Sequence, residues 1–239
     1  PQARNTLPAI YYAVHEIRKS CEDRVAVFPS DHIINNSNEF ISTIKEHQTL
    51  ADDFIVTFGI TPTSPETGYG YIQPGEPLSY GFKAKSFREK PNYPTAQTYV
   101  KEGYLWNSGM FLFKTDLFTQ ELNKYAPHIM RAFDETDSIE DCFERIQPLS
   151  IDYGIMEKSD RVAVLPFNIG WNDMGGFAAF YDNYISKKDE NGNITFGSEI
   201  LIDSQNNVVY TDADKAVGIV GVKDLVIVDQ KDALLVCSK

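Results

Sequence analysis

The first sixty residues alternate between apolar positions at helical spacing and short continuous apolar runs. Apolar side chains three or four positions apart predict helices over 5–21 and near 37–51. Continuous apolar runs at 24–28 and 54–60 predict buried strands. Helices and strands in this alternation are typical of βαβ units, so the sequence predicts an α/β fold with a mixed, mostly parallel central sheet.

Beyond residue 60 the pattern is more varied. Residues 61–82 are rich in Pro, Gly and Thr and predict a long loop with a short strand. The alternating stretch 81–90 predicts an edge strand. The remaining elements predicted for this part are a helix near 93–102, a strand at 105–114, helices to about 145, a strand at 160–167 and a helix at 177–184.

The last fifty residues or so have a different pattern of apolar and polar positions. From about 192 onward, short apolar runs are separated by Asp, Asn and Gly, which predicts a β-rich segment with frequent turns. A polar stretch near 185–192 is the best candidate for a linker. We therefore expect one domain over 1–190 and a β-rich C-terminal segment over 191–239.

Composition narrows the class of protein. A formal net charge of −12 argues against a nucleic-acid partner, which needs a basic surface to displace counterions. No apolar run is long enough to cross a bilayer, so no membrane partner is expected and a cytoplasmic location is the simplest interpretation. Three scattered cysteines indicate reduced thiols, and four scattered histidines offer little for a zinc site.

Two aspartates are candidates for holding a metal ion. Asp31 follows a predicted strand and Pro29, and open parallel sheets bind ligands beyond the carboxyl ends of their strands. Asp173 precedes the adjacent glycines at 175 and 176, which let backbone approach a ligand closely. Mg²⁺ is usually held by one or two carboxylates together with substrate phosphates. The structural alternatives are a turn residue for Asp31 and a helix N-cap for Asp173.

Three further stretches combine polar groups with turn residues, and each also has a purely structural interpretation. Gly68 and Gly70 could simply let a loop reverse. Residues 89–91 could be a solvated strand end, and residues 107–109 could form a bulge in an edge strand.

Taken in order, these motifs resemble those of the mannose-1-phosphate guanylyltransferases, within the sugar-phosphate nucleotidyltransferase family. The resemblance covers essentially the whole chain. It is carried by Arg4-Asn5-Thr6, Pro29-Ser30-Asp31-His32, the loop from Thr63 to Ile72, Phe87-Arg88-Glu89-Lys90-Pro91, Trp106-Asn107-Ser108-Gly109-Met110-Phe111, the stretch from Ile151 to Lys158, and Trp171-Asn172-Asp173-Met174-Gly175.

The resemblance implies a Rossmann-like nucleotidyltransferase fold and an enzyme that joins GTP and mannose 1-phosphate into GDP-mannose and pyrophosphate. Asp31 and Asp173 match the aspartates that bind Mg²⁺, and with Lys90 they form the expected catalytic set. Lys90 matches the residue that neutralises the sugar phosphate, and Glu89 the one that accepts hydrogen bonds from sugar hydroxyls. Asn107 and the backbone at Gly70 match the rest of the sugar site. Arg4, Asn5, Thr6 and Asp31 fall where the family binds the nucleotide, and Asp152 lies near the sugar side with no assigned role.

One part of the family pattern is missing. The family places a Gly-rich loop followed by Arg before everything matched here, and this loop holds the triphosphate. The sequence has no such stretch, so we expect a fold truncated at the N-terminus, without its first βαβ portion. We accordingly expect the intact protein to be the enzyme and this chain alone to be weak or inactive.

Other functions remain open at this stage. One is nucleotidyl transfer to a different sugar 1-phosphate with another base. A second is a catalytically silent subunit that senses a nucleotide sugar, and a third is a structural module built on the β-rich tail. Because short strands with free edges need cover, a homodimer is also expected.

Overall fold

The computed structural model describes residues 2–18, 23–168, 170–175, 184–212 and 215–239. Contacts divide the chain into two units. The first comprises Pro1–Ser30 and Ile34–Trp171, and the second comprises Asp31–Ile33 and Asn172–Lys239. The helix expected at 177–184 falls almost entirely outside the described residues.

Within the described ranges the first unit contains six α-helices and a central sheet. The helices begin where the sequence supplies caps: Asn36 accepts a hydrogen bond from the amide of Glu39, and Asn92 accepts one from that of Thr95. The helices are α1 (Thr6–Arg18), α2 (Ser37–His47), α3 (Tyr93–Lys101), α4 (Thr115–Tyr125), α5 (Pro127–Asp134) and α6 (Ile139–Arg145). Short 3₁₀ and π turns lie at Gln48–Asp52 and Asp152–Met156.

The central sheet has six strands in the described part of the chain, in the order β1-β6-β3-β7-β5-β4. Its pairings place β1, β3, β4 and β7 in one direction and β5 and β6 in the other, so the sheet is mixed with most strands pointing one way. The strands are β1 (Arg24–Val27), β3 (Ile55–Ile60), β4 (Tyr71–Pro77), β5 (Phe82–Arg88), β6 (Leu105–Lys114) and β7 (Val162–Pro166). The predicted α/β class is confirmed.

The prediction that the stretch 81–90 forms an edge strand is wrong. The stretch 82–88 is not an edge strand, because β5 pairs with β4 on one side and with β7 on the other. The alternation of apolar and polar residues indicates which face of a strand is buried. It does not indicate whether the strand is hydrogen-bonded to a neighbour at each edge. Residues 107–109 do lie at a register irregularity against β3, but β6 is an interior strand flanked by β1 and β3.

Helices cover both faces of the sheet. Along β3, Ile55 packs into a core with α1, α4 and α5, whereas Val56 and Phe58 pack on the opposite face beside Phe40 of α2 and Ala96 of α3. Every residue of β3 is buried, which accounts for its continuous apolar sequence. Gly70 lies directly before β4, and Glu89 and Lys90 lie directly after β5.

The second unit is built largely from short strands that stack in parallel. Ile194 of β9 lies opposite Val208 of β11, which lies opposite Val226 of β13. Buried Asn193 and Asn207 hydrogen-bond to each other beside this stack. The strands are β9 (Ile194–Phe196), β10 (Ser198–Ile202), β11 (Val208–Thr211), β12 (Ala216–Val220), β13 (Leu225–Asp229) and β14 (Leu234–Ser238). The predicted β-rich C-terminal segment is confirmed.

Candidate functional site

Four of the predicted substrate-binding residues come together in the first unit: Gly70, Glu89, Lys90 and Asn107, here called the cradle. The amide of Asn107 donates to the carbonyl of Gly70 over 2.8 Å. A Cβ atom at Gly70 would lie 2.5 Å from Glu89 Oε2 and 3.2 Å from Asn107 Cβ. Close packing therefore accounts for Gly70, because a side chain there would displace the Glu89 carboxylate.

The Asn107 side chain is held from both ends. Its Oδ1 accepts hydrogen bonds from Thr57 Oγ1 at 2.8 Å and from the amide of Gly109 at 3.3 Å. Its Nδ2 donates to Asp152 Oδ1 at 3.1 Å. Gly109 adopts a φ of +71°, which is typical of the glycine in a β-bulge. The bulge thus turns Asn107 toward Asp152 and fixes which end of the amide is the donor.

Glu89 and Lys90 sit where β5 ends. Lys90 has a φ of +47°, and its Nζ lies 3.3 Å from Glu89 Oε1. The Glu89 side chain is only 10% exposed, whereas that of Lys90 is 59% exposed. Glu157 Oε1 accepts a hydrogen bond from the Glu89 amide at 2.9 Å. The pair therefore presents a fixed, nearly buried carboxylate that can accept hydrogen bonds and an accessible ammonium that can meet an anion.

Burial raises the pKa of Glu89, and the negative charge of Asp152 raises it further. Lys90 opposes this shift by hydrogen bonding and charge but does not reverse it. Burial also raises the pKa of Asp152, against hydrogen bonds from its own amide and from Ser150. Burial, reinforced by the negative charge of Asp152, therefore raises the pKa of Glu89 by more than the compensation expected from Lys90 lowers it.

Asp152 and Glu157 are the site residues that sequence reasoning left without a role. Both lie at the π turn Asp152–Met156 and its end, and each is hydrogen-bonded to one arm of the cradle. Their spacing of five residues in the stretch from Ile151 to Lys158 was visible in the sequence. The groups that they bind come from β5 and β6, which are distant in sequence.

In the second unit, the charges of Asp31 and Asp173 both act on His32. Burial lowers the pKa of His32 below its usual value. The negative charges of the two carboxylates oppose this shift without reversing it. The segment after Asp31 forms β2 (Ile33–Ile34), which pairs with β8 (Trp171–Asn172) immediately before Asp173. The fold thus brings together two carboxylates that are far apart in sequence.

The geometry around Asp173 is tight. Its Oδ1 accepts a hydrogen bond from the Gly175 amide at 3.1 Å, and a Cβ atom at Gly175 would lie 2.7 Å from its Oδ2. Met174 between them has a φ of +53°. Among the described residues, no group of three or more His, Cys, Asp or Glu side chains could hold a metal ion. A pair of carboxylates can hold Mg²⁺ when phosphates complete its coordination.

The backbone of Arg4 and the side chain of Thr6 hydrogen-bond to the segment that leads into the π turn. The Arg4 guanidinium donates to the carbonyls of Phe143 and Glu144. Thr6 Oγ1 accepts a hydrogen bond from the Ile151 amide at 2.9 Å, directly before Asp152. Asn5 has a φ of +69°, and its Oδ1 accepts a hydrogen bond from the Thr6 amide. The described contacts of all three are with protein groups, and their predicted nucleotide role stays a prediction.

Comparison with known proteins defines the class. Residues 1–190 match the model of the nucleotidyl transferase family, and residues 197–239 match that of the mannose-phosphate isomerase/GMP-like β-helix domain. The chain therefore belongs to the nucleotidyl transferase family, as the sequence resemblance predicted. Within the described residues, no helix is both long and apolar enough to cross a membrane.

Individual relatives place the chain more closely. It is 40% identical over 258 residues to the mannose-1-phosphate guanylyltransferase of Salmonella montevideo, with 100% of this chain and 54% of the relative covered. A crystal structure of mannose-1-phosphate geranyltransferase from Thermus thermophilus is similar with a TM-score of 0.90 and 30% identity, covering 100% of this chain and 72% of that one. A mannose-6-phosphate isomerase structure from Helicobacter pylori has a TM-score of 0.63 and 32% identity, with 72% of each chain covered. The chain spans about half the length of the curated relatives it matches.

Proposed function

We propose that the protein to which this chain belongs transfers GMP from GTP to mannose 1-phosphate, giving GDP-mannose and pyrophosphate. Curated relatives bearing the name mannose-1-phosphate guanylyltransferase match the whole chain. The observation that carries the proposal is the cradle, where a nearly buried Glu89 carboxylate and the accessible Lys90 ammonium lie beside a fixed Asn107 amide. This combination suits a ligand that bears both hydroxyl groups and a phosphate.

In the proposed reaction an oxygen of the mannose phosphate attacks the α-phosphorus of GTP. The bond from the α-phosphorus to the bridging oxygen breaks, and that oxygen leaves with pyrophosphate. Both reactants are anionic, so the protein acts mainly by positioning them and cancelling charge. Glu89 accepts hydrogen bonds from sugar hydroxyls, Asn107 orients the ring, and Lys90 neutralises the phosphate of the incoming sugar. The reaction needs no covalent intermediate with the protein.

We further propose that Asp31 and Asp173 hold Mg²⁺ together with the phosphates of GTP. Two observations support this assignment. The charges of both aspartates act on the same residue, His32, and carboxylate oxygens are the ligands that Mg²⁺ prefers. When bound, Mg²⁺ would offset the negative charge of the reacting phosphates. The proposed roles of Arg4, Asn5, Thr6 and Asp31 in nucleotide binding rest on the sequence resemblance.

A homodimer is the assembly we propose. In the second unit, β10 and β12 pair in parallel, and an exposed apolar patch lies on them although the chain has a net charge of −12. Ile200, Ile202 and Val220 in this patch are 57%, 51% and 62% exposed. Such a patch is a candidate for burial against a second copy. Light scattering should show a dimer that Ile200→Lys with Val220→Lys converts to a monomer, and a wild-type monomer would contradict the assignment.

Product analysis tests the function. The full-length protein with GTP, mannose 1-phosphate and a magnesium salt should form GDP-mannose and an equal amount of pyrophosphate. Turnover only with a different sugar 1-phosphate or base would favour another nucleotidyltransferase. Nucleotide-sugar binding without turnover would favour a sensing subunit.

A further inference from the structure

We propose that Glu157 is a positioning residue of the cradle, which sets the directions of Glu89 and Lys90 through the backbone that carries them. Glu157 Oε1 accepts a hydrogen bond from the Glu89 amide at 2.9 Å, across a separation of 68 residues in the chain. This bond fixes the backbone of Glu89 and does not occupy the Glu89 carboxylate. The inference rests on the proposed function, in which Glu89 and Lys90 bind mannose 1-phosphate.

The backbone at the end of β5 has an unusual conformation. If the chain continued there as an extended strand, the consecutive side chains of Glu89 and Lys90 would point to opposite faces. Lys90 instead has a φ of +47°, in the left-handed region that residues with a side chain adopt only at an energetic cost. In this conformation Lys90 Nζ lies 3.3 Å from Glu89 Oε1. The meeting of the two cradle groups therefore depends on the backbone of the strand end.

Two successive amides hold this backbone. The Glu89 amide donates to Glu157 Oε1, and the Lys90 amide donates to the carbonyl of Tyr69 at 3.2 Å. Of these two bonds, only the first has a side chain as its acceptor, so it is the one that a substitution can remove. A carboxylate is also a stronger acceptor than a neutral carbonyl oxygen. Glu157 is therefore the side chain through which the conformation of the strand end can be tested.

Glu157 stands on a segment that is itself held in place. Its amide donates to the carbonyl of Asp152 at 2.9 Å and closes the π turn. Two residues further on, the Ser159 amide donates to the carbonyl of Ile155 at 2.9 Å, and Ser159 Oγ donates to Glu121 Oε2 of α4 at 2.5 Å. Glu121 is buried. The segment that carries Glu157 is thus anchored to the core, so the carboxylate can serve as a fixed acceptor.

The charge of Glu157 does not explain its presence beside the cradle. Burial is the main cause of the raised pKa values of Glu89 and Asp152, and the negative charge of Glu157 raises both further. It therefore disfavours the ionised form of Glu89, which is the form that accepts hydrogen bonds from sugar hydroxyls. Because the charge acts against the proposed role of Glu89, we assign the contribution of Glu157 to its hydrogen bond.

Two variants of the full-length protein separate the hydrogen bond from the charge. Glu157→Asp keeps the charge but is one methylene group shorter, so its oxygen no longer reaches the Glu89 amide. Glu157→Gln removes the charge but keeps the length and an accepting oxygen. In Glu157→Asp we expect the KM for mannose 1-phosphate to rise about tenfold, as for the loss of one such hydrogen bond, with the KM for GTP unchanged.

Glu157→Gln should keep both KM values within about twofold of wild type. Glu102→Asp, exposed at the end of α3, is the matched control for shortening a glutamate and should leave both values unchanged. Steady-state kinetics measure these constants, and thermal unfolding shows that each variant is folded.

Hydrogen exchange tests the contact itself without turnover. Mass spectrometry of overlapping peptides across the end of β5 follows the Glu89 amide, which should exchange faster in Glu157→Asp and at the wild-type rate in Glu157→Gln. Unchanged exchange in Glu157→Asp would overturn the inference whether or not the protein is a guanylyltransferase. A wild-type KM for mannose 1-phosphate in Glu157→Asp, or equal losses in both variants, would overturn it while guanylyltransfer itself stands. Absence of turnover in the wild-type protein would instead overturn the proposed function.

Discussion

Asn107 Nδ2 donates a hydrogen bond to Asp152 Oδ1 over 3.1 Å, which ties the bulge of β6 to the π turn. Thr57 holds the other end of the same amide. Asn107 thus cannot exchange its donor and acceptor ends without losing at least two hydrogen bonds. The orientation of the amide is set without a bound ligand, and such preorganisation reduces the entropic cost of binding.

Removing the Asp152 carboxylate, which accepts the hydrogen bond from Asn107 Nδ2, should leave the Asn107 side chain less firmly oriented. In Asp152→Leu we expect the KM for mannose 1-phosphate to rise about tenfold, the equivalent of one hydrogen bond of about 1.4 kcal/mol, with a smaller change in kcat. Asp152→Asn keeps an oxygen that can accept from Asn107 Nδ2, so it should retain most of the affinity. Steady-state kinetics of the full-length protein distinguish the two variants. Equal losses in both would show that the charge of Asp152, and not its hydrogen bond, matters.

Lys90 is the accessible cation of the cradle. Lys90→Gln removes the charge and keeps a similar length, so kcat/KM for mannose 1-phosphate should fall by roughly 10²–10³-fold. The KM for GTP should change little, because Lys90 is assigned to the sugar phosphate. Lys101→Gln is the control for removing an exposed lysine. An equal effect of Lys90→Gln on both substrates would argue against this assignment.

Glu89 should make stability depend on pH. Its pKa is raised in the folded protein, so the folded state binds more protons than the unfolded state as the group titrates. The free energy of unfolding therefore falls as pH rises through the raised pKa. Glu89→Gln removes this loss, and it should be more stable than wild type at about pH 8, with the difference shrinking toward about pH 4. Urea unfolding at several pH values measures it, and a stability difference that does not change with pH would refute the interpretation.

Asn207 should contribute strongly to the stability of the second unit. It is fully buried, and its Oδ1 accepts a hydrogen bond from the Leu225 amide at 3.0 Å. Its Nδ2 donates to Asn193 Oδ1 and to the Val222 carbonyl. Asn207→Ala leaves the Leu225 amide without this acceptor and should cost about 2–4 kcal/mol. Exposed Asn191→Ala is the control, with an expected change within about 0.5 kcal/mol.

The fold class and most element positions could be predicted from the sequence because they follow local periodicity. The strand predicted at 105–114 has the bounds that the structure shows for β6. The interior position of β5 could not be predicted, because its neighbours β4 and β7 are separated from it by a turn in one case and by more than seventy residues in the other. Long-range pairing of this kind is not encoded in the pattern of a single strand.

In the candidate site, too, some features can be predicted from the sequence and others depend on long-range contacts. The motif resemblance predicts Gly70, Glu89, Lys90 and Asn107, and the structure brings them together. The roles of Asp152 and Glu157 depend on which distant groups their carboxylates reach, which spacing alone does not specify. The direction of the Glu89 pKa shift likewise depends on burial and on Asp152, which lies sixty-three residues further along the chain.

The carboxylate pair gives the most direct test of guanylyltransfer. Pyrophosphate release would be measured for the full-length protein with GTP, mannose 1-phosphate and magnesium, beside Asp173→Asn and Asp31→Asn. We expect magnesium-dependent release in wild type and a loss of at least about 100-fold in either variant, since each keeps its size and loses its charge. Undiminished release in both variants, or no release from the folded wild-type protein, would contradict the account.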